Sequence, residues 1–133
     1  MTIFQKIIDR EIPADIVHEN DEVLAFRDIN PQAPIHILVI PKKPLVSISK
    51  MTESDSAMIG RLMYQATKVA EAQNLEDYRL VINNGAGAGQ TVFHLHVHVL
   101  PRHEGVSLRP HTGEMADKAS LESNAEKIRA ALA

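Results

Sequence analysis

The residues of this 133-residue chain best suited to chemistry are crowded into one stretch, NNGAGAGQTVFHLHVHVL. Within it Phe93, Leu95, Val97 and Val99 alternate with His94, His96 and His98, the period-two pattern of a β-strand with one apolar face and one imidazole face. On a strand rising about 3.3 Å per residue, neighbouring histidines of that face stand roughly 6.5 to 7 Å apart, whereas a helix would scatter them. A single histidine in such a pattern is usually an ordinary hydrogen-bonded side chain, but three in register crowd half-basic groups together and perturb their pKa values. Two chemistries use such a set. Alternate histidines can share a zinc ion with a ligand from another strand, here His36. Alternatively, a neutral imidazole nitrogen can attack phosphorus and form a phosphohistidine, while one neighbour orients the ring and another supplies a proton. No Asp, Glu or Cys lies in the histidine strand and a glycine loop precedes it, which favours the nucleophile without removing the metal.

Gly85, Gly87 and Gly89 suit a loop whose backbone N–H groups approach a phosphate closely, with Asn83, Gln90 and Thr91 adding side-chain donors and acceptors at its rims. A flexible hairpin loop is the plainer reading, and the glycines are neither a P-loop nor the start of a helix. Asp28 sits in the proline-rich segment FRDINPQAP, where a carboxylate can accept hydrogen bonds from two ribose hydroxyls. By residue type alone a turn-stabilising aspartate is the better description of it.

The elements that must position these groups fit one domain, residues 1–133. Thr2 is a candidate N-cap for a short helix carrying Ile3, Phe4, Ile7 and Ile8 and ending before Pro13. Residues 16–19 and 23–28 flank an Asn20-Asp21 turn as a hairpin, and residues 35–40 form a third strand bounded by prolines. Thr52 and Asp55 resemble a capping box before the main helix, which runs to about Asn74. Strands at 78–83 and 92–100 flank the glycine loop, and a helix-prone stretch closes the chain at about 117–132. The fold expected is α+β, a five-stranded antiparallel sheet with one main helix and short terminal helices.

Composition narrows the function classes. A net charge of −3 with 44% hydrophobic residues describes neither a disordered acidic tail nor a basic nucleic-acid binder. Without cysteine there is no disulfide, thiol nucleophile or thiolate zinc site. Lys6, Asp9 and Arg10 interrupt the amino-terminal apolar run before a signal-peptide core can form, and apolar runs such as 37–40 fall far short of a span. A cytoplasmic protein with no membrane or nucleic-acid partner is expected.

The HLHVH triad after GAGQTVF, the segment FRDINPQAPIHILVIPKK and the start TIFQKIIDREIPA together resemble the histidine-triad (HIT) superfamily over about residues 2–102. The resemblance implies a homodimer whose sheets continue across the interface, and a hydrolase or transferase releasing an AMP- or GMP-type purine nucleotide from an amine or other leaving group. It makes His96 the nucleophile, His98 the phosphate hydrogen-bonding group, and His94 and His36 the groups that orient the triad and relay protons. Asn83, Gly89, Gln90 and Thr91 would hold the phosphate. Asp28 would bind ribose, reversing the reading from residue type, and Ile3, Phe4, Ile7, Phe26 and Ile29 would wall the base pocket. No cofactor is required, and zinc at the histidines would be adventitious. A dinucleoside polyphosphate hydrolase and a nucleotide-binding regulatory dimer are the alternatives. After the triad, Leu100, Pro101 and Arg102 depart from the glycine pair of the nucleoside phosphoramidase branch, and the tail carries His103, Arg109 and His111, so the leaving group is the open part.

Overall fold

The computed structural model of the protein describes residues 2–28 and 35–101, together with five helical, exposed positions of the tail: Ala119, Ser123, Glu126, Arg129 and Ala130. Ile29, Arg102, His103, Arg109 and His111, and the expected closing helix apart from those positions, lie outside the described residues.

The sheet is antiparallel and five-stranded, in the order β1-β2-β3-β5-β4. Its strands are β1 (Ile16–Glu19), β2 (Val23–Arg27), β3 (Ile37–Pro41), β4 (Tyr78–Val81) and β5 (Val97–Pro101). Asn20 makes the first hairpin by accepting hydrogen bonds on its side-chain oxygen from Glu22 N–H and Val23 N–H, at 2.9 and 2.8 Å. The helices are α1 (Ile3–Ile8), capped by Thr2, whose hydroxyl oxygen accepts from Gln5 N–H, and α2 (Ser56–Ala72). The Thr52/Asp55 capping box brackets a 3₁₀ turn at Glu53–Asp55 that leads into α2. Asn74 adopts φ 59° just past the end of α2, the left-handed stop that asparagine tolerates better than most residues.

Both faces of the central strands are covered, which is why β2 and β3 read as continuous apolar runs rather than alternating ones. On one face Met58, Leu62, Ala66 and Val69 of α2, at helical spacing, pack on Val23, Ala25, Val39, Val97 and Val99. On the other, Phe4 and Ile7 of α1 pack on Leu24, Phe26, Leu38 and Ile40. The histidines belong to this second, α1-covered side, because His98 pairs with Leu38 across β3 while Val97 and Val99 point to α2.

Four boundaries differ from expectation. β2 and β4 stop at Arg27 and Val81, short of 28 and 83, and β3 runs from Ile37 to Pro41, leaving Ile35 in a bend. The largest difference is the last strand, expected over 92–100. Only Val97–Pro101 pairs in the sheet, so His94 and His96 precede the strand rather than sharing it with His98. Residues 94–96 are held instead by the segment after β3, through a 2.6 Å hydrogen bond from Leu95 N–H to the Leu45 carbonyl. Leu95 still enters the α2-side core, but Phe93, which the alternation would also bury, is 47% exposed.

Candidate active site

The sheet orders four imidazoles, each held by a different partner. His94 donates from Nε2 to the Pro41 carbonyl at 2.7 Å, so its ring anchors the approach to β5 to the end of β3. His96 donates from Nδ1 to the carbonyl of His94 at 2.7 Å. A neutral ring that donates from Nδ1 carries its lone pair on Nε2, so the fold selects the tautomer with a nucleophilic Nε2. Phe4 braces this ring edge-on, with centroids 5.0 Å apart at 88°. The ring of His98 lies 4.9 Å from that of His96, and its Nδ1 is 2.8 Å from Nε2 of His36. His36 in turn presents Nδ1 to Asp28 at 3.6 Å, extending the chain of groups to a carboxylate.

His36, His94 and His96 are buried and His98 is partly so, and burial opposes positive charge on each ring. All four pKa values are therefore lowered, chiefly by desolvation. His98 falls to about 4, through desolvation and then its charged-form repulsion by His96 and His36. Asp28 pulls the other way on His36, His96 and His98. Near neutral pH the site thus presents uncharged imidazoles, the state a histidine nucleophile needs.

His96 and His98 open onto a cavity of about 560 Å³, within the range of small-molecule sites. Ile3, Phe4, Ile7 and Phe26 form its apolar wall, and Asp28, Asn83, Gly89 and Thr91 its polar rim. Arg27, Leu38, Val92 and the Ile12-Pro13-Ala14 segment also line it, which residue types did not single out. Their only sequence signal was position, beside residues already chosen.

Gln90 and the glycine loop are used differently from the sequence reading. Gln90 is 2% exposed, its Oε1 accepts from Gly85 N–H at 2.8 Å, and its Nε2 donates to the carbonyls of Val46 and Val92. The N–H groups of Ala88, Gly89 and Gln90 donate to Gly85, Ala86 and Gly85 carbonyls. The loop's donors are thus largely spent on holding its own shape, and Gly85 and Gly89 supply that shape at φ 92° and 95°.

Asp28, His36 and His98 bring one ligand atom each within 4.8 Å of one another, a candidate metal cluster. The fit is imperfect, because His36 Nε2 and His98 Nδ1 are 2.8 Å apart in a hydrogen bond that a metal on either of these atoms would break.

Residues 9–105 match the HIT domain family. The chain is 53% identical over 102 residues to a 14 kDa zinc-binding protein of Zea mays, covering 74% of this chain and 80% of that one. Among solved structures it is similar to a HIT family hydrolase from Clostridium thermocellum, 40% identical with a TM-score of 0.76, over 82% of this chain and 96% of that one. It is also similar to a histidine triad nucleotide-binding protein from Candida albicans, 29% identical with a TM-score of 0.77, over 99% and 97% of the two chains.

Proposed function

The chain belongs to the HIT family, and from that premise we propose that it hydrolyses a purine nucleoside 5′-monophosphate linked to an amine or another leaving group, through a covalent intermediate on His96. The observation that carries this reading is the Nδ1 hydrogen bond of His96 to the His94 carbonyl, which leaves Nε2 as the attacking atom beside a cavity of nucleotide size. The apolar wall around Phe4 and Phe26 suits a purine ring, with Ile29 adjoining it in sequence, and Asp28 suits the ribose hydroxyls. Asn83, Gly89 and Thr91 border the phosphate side, while Gln90 serves by holding the glycine loop in place.

The proton inventory closes on this chain's own residues. An entering phosphate carries negative charge and raises the pKa of His98, which then binds substrate as an imidazolium. Its Nδ1–H donates to His36 Nε2, and His36 Nδ1–H faces Asp28, so the new charge is shared toward a carboxylate. In the first step the Nε2 of His96 bonds to the α-phosphorus, the bond to the leaving group breaks, and the Nε2 proton of His98 goes to the departing atom. In the second step neutral His98 takes a proton from water as its oxygen bonds to phosphorus and the P–N bond to His96 breaks. The enzyme returns to its starting protonation.

His96→Ala should abolish turnover of an adenosine phosphoramidate. Full activity in that variant would sink the mechanism. Comparing rates on the phosphoramidate and on a dinucleoside polyphosphate identifies the leaving group. The maize relative's name raises zinc, and Asp28, His36 and His98 are the residues that would hold it, as a Lewis acid toward phosphate oxygens. The attack by Nε2 proceeds without it, so activity should survive chelation. A homodimer fits the same reading, with the sheet continued at β4, which is an edge strand among the described residues, since the edge at β1 is interrupted by a bulge between Ile16 and His18. Its molar mass in solution tests that.

A further inference from the structure

A second cavity, of about 390 Å³, opens on the α2 side of the sheet, between the edge formed by β1 and β2 and the C-terminal half of α2. Val17, Ile35, Ile37, Val69 and Ala72 give it apolar walls. Val17 and Ile35 are 48% and 42% exposed, so a ligand seated there would remove large apolar surface from water. Successive residues of a regular strand point to opposite faces, and the bulge between Ile16 and His18 is what lets Val17 and His18 both border this cavity.

Its polar groups differ in exposure. His18 Nε2 and Gln73 Oε1 are buried and have no hydrogen-bond partner among the described residues, and both residues line the cavity. Buried polar atoms are normally paired, so two in one cavity point to a ligand that pairs them. At the outer side, Arg27 and Lys68 have about half of their side chains exposed, and no acidic residue lines the cavity among the described residues. Arg27 lies 3.7 Å from Asp15 and Lys68 3.1 Å from Glu71, exposed pairs of a kind that yields readily to a competing anion.

We propose that this cavity binds a small hydroxylated organic acid. A short ring or chain packs against Val17, Ile37 and Val69. Its hydroxyl, at the buried end, hydrogen-bonds Gln73 Oε1 or His18 Nε2, and its carboxylate meets Arg27 and Lys68. The histidine cavity lies on the other, α1-covered side of the sheet, and of the residues lining the two cavities only Arg27 borders both.

The probe is 4-hydroxyphenylacetate, titrated into the full chain while methyl and imidazole NMR signals are followed. Saturable shifts are expected at Val17, Ile35, Ile37 and Val69, with none at the rings of His96 and His98 and no competition from AMP. Phenylacetate, lacking the hydroxyl, should bind about tenfold more weakly because the buried polar atoms stay unpaired, and 4-hydroxyphenylacetamide should lose affinity through its missing charge. Ala72→Phe, which fills the cavity from an exposed helical position, should abolish probe binding and leave AMP binding unchanged. Lys68→Gln should weaken the carboxylate selectively, and it tests the same site through a surface residue if the larger substitution unfolds the chain. Absence of saturable shifts, shifts centred on the triad, or equal affinity for acid and amide would overturn the proposal. So would cavity shifts that follow protein concentration without probe, which mark a second copy on this face.

Discussion

Lowering the pH from 7.5 to 5 should destabilise this protein, and His98 lets the effect be sized. Its imidazole titrates near the ordinary 6.5 in the unfolded chain and at about 4 in the folded one. Between those values the unfolded state binds more protons, so stability is complete above about pH 6.5 and declines as pH falls toward 4. At pH 5 the unscreened difference for one such group is about 2 kcal/mol, and solvent reaching the partly exposed ring reduces it to about 1 kcal/mol. His36, His94 and His96 shift in the same direction and add to the slope. Carboxylates with lowered pKa values, Glu19, Glu22 and Asp55, stay ionised through this window and contribute only below it. Urea unfolding at the two pH values, in wild type and His98→Asn, gives the measurement. The wild type should lose more stability than the variant, by about 1 kcal/mol. Equal losses, or a wild type indifferent to pH over this range, would refute the claim that the fold holds His98 neutral.

Asp28→Asn removes the charge that supports positive charge on His98, so the alkaline limb of the activity profile, where the general acid loses its proton, should move to lower pH while the rate falls. A profile unchanged in position would detach Asp28 from the histidine chain. Gln90→Ala strips partners from Gly85 N–H and the Val46 and Val92 carbonyls, and should cost about 3 kcal/mol in urea unfolding. Gln90→Glu should not restore it, because a carboxylate cannot donate to those carbonyls. Phe4→Ala removes a core ring that also braces His96, so about 3 kcal/mol of stability should go together with nucleotide affinity measured by calorimetry. Loss of stability with unchanged affinity would remove Phe4 from the base pocket proposed above.

Local chemistry was legible in the residues themselves. Thr2 as a cap, Asn20 as a turn, the Thr52/Asp55 box and the helical spacing of Met58, Leu62 and Val69 each depend on side chains a few positions apart, so sequence order carries them. The period-two run around the histidines was likewise enough to gather His94, His96 and His98 on one side and to make phosphorus the target worth considering. What sequence order does not carry is the partner from far along the chain. That His94 leans on Pro41, that Leu95 leaves the ladder for Leu45, and that Gln90 donates to the Val46 carbonyl all depend on a segment about 44 to 53 residues upstream lying beside the triad. Alternation fixes which face a side chain takes and is silent on which hydrogen bond its ring nitrogen makes. The tautomer of His96 and the neutrality of His98 therefore came only with tertiary structure, through a backbone carbonyl placed 2.7 Å from Nδ1 and through burial that makes an imidazolium costly.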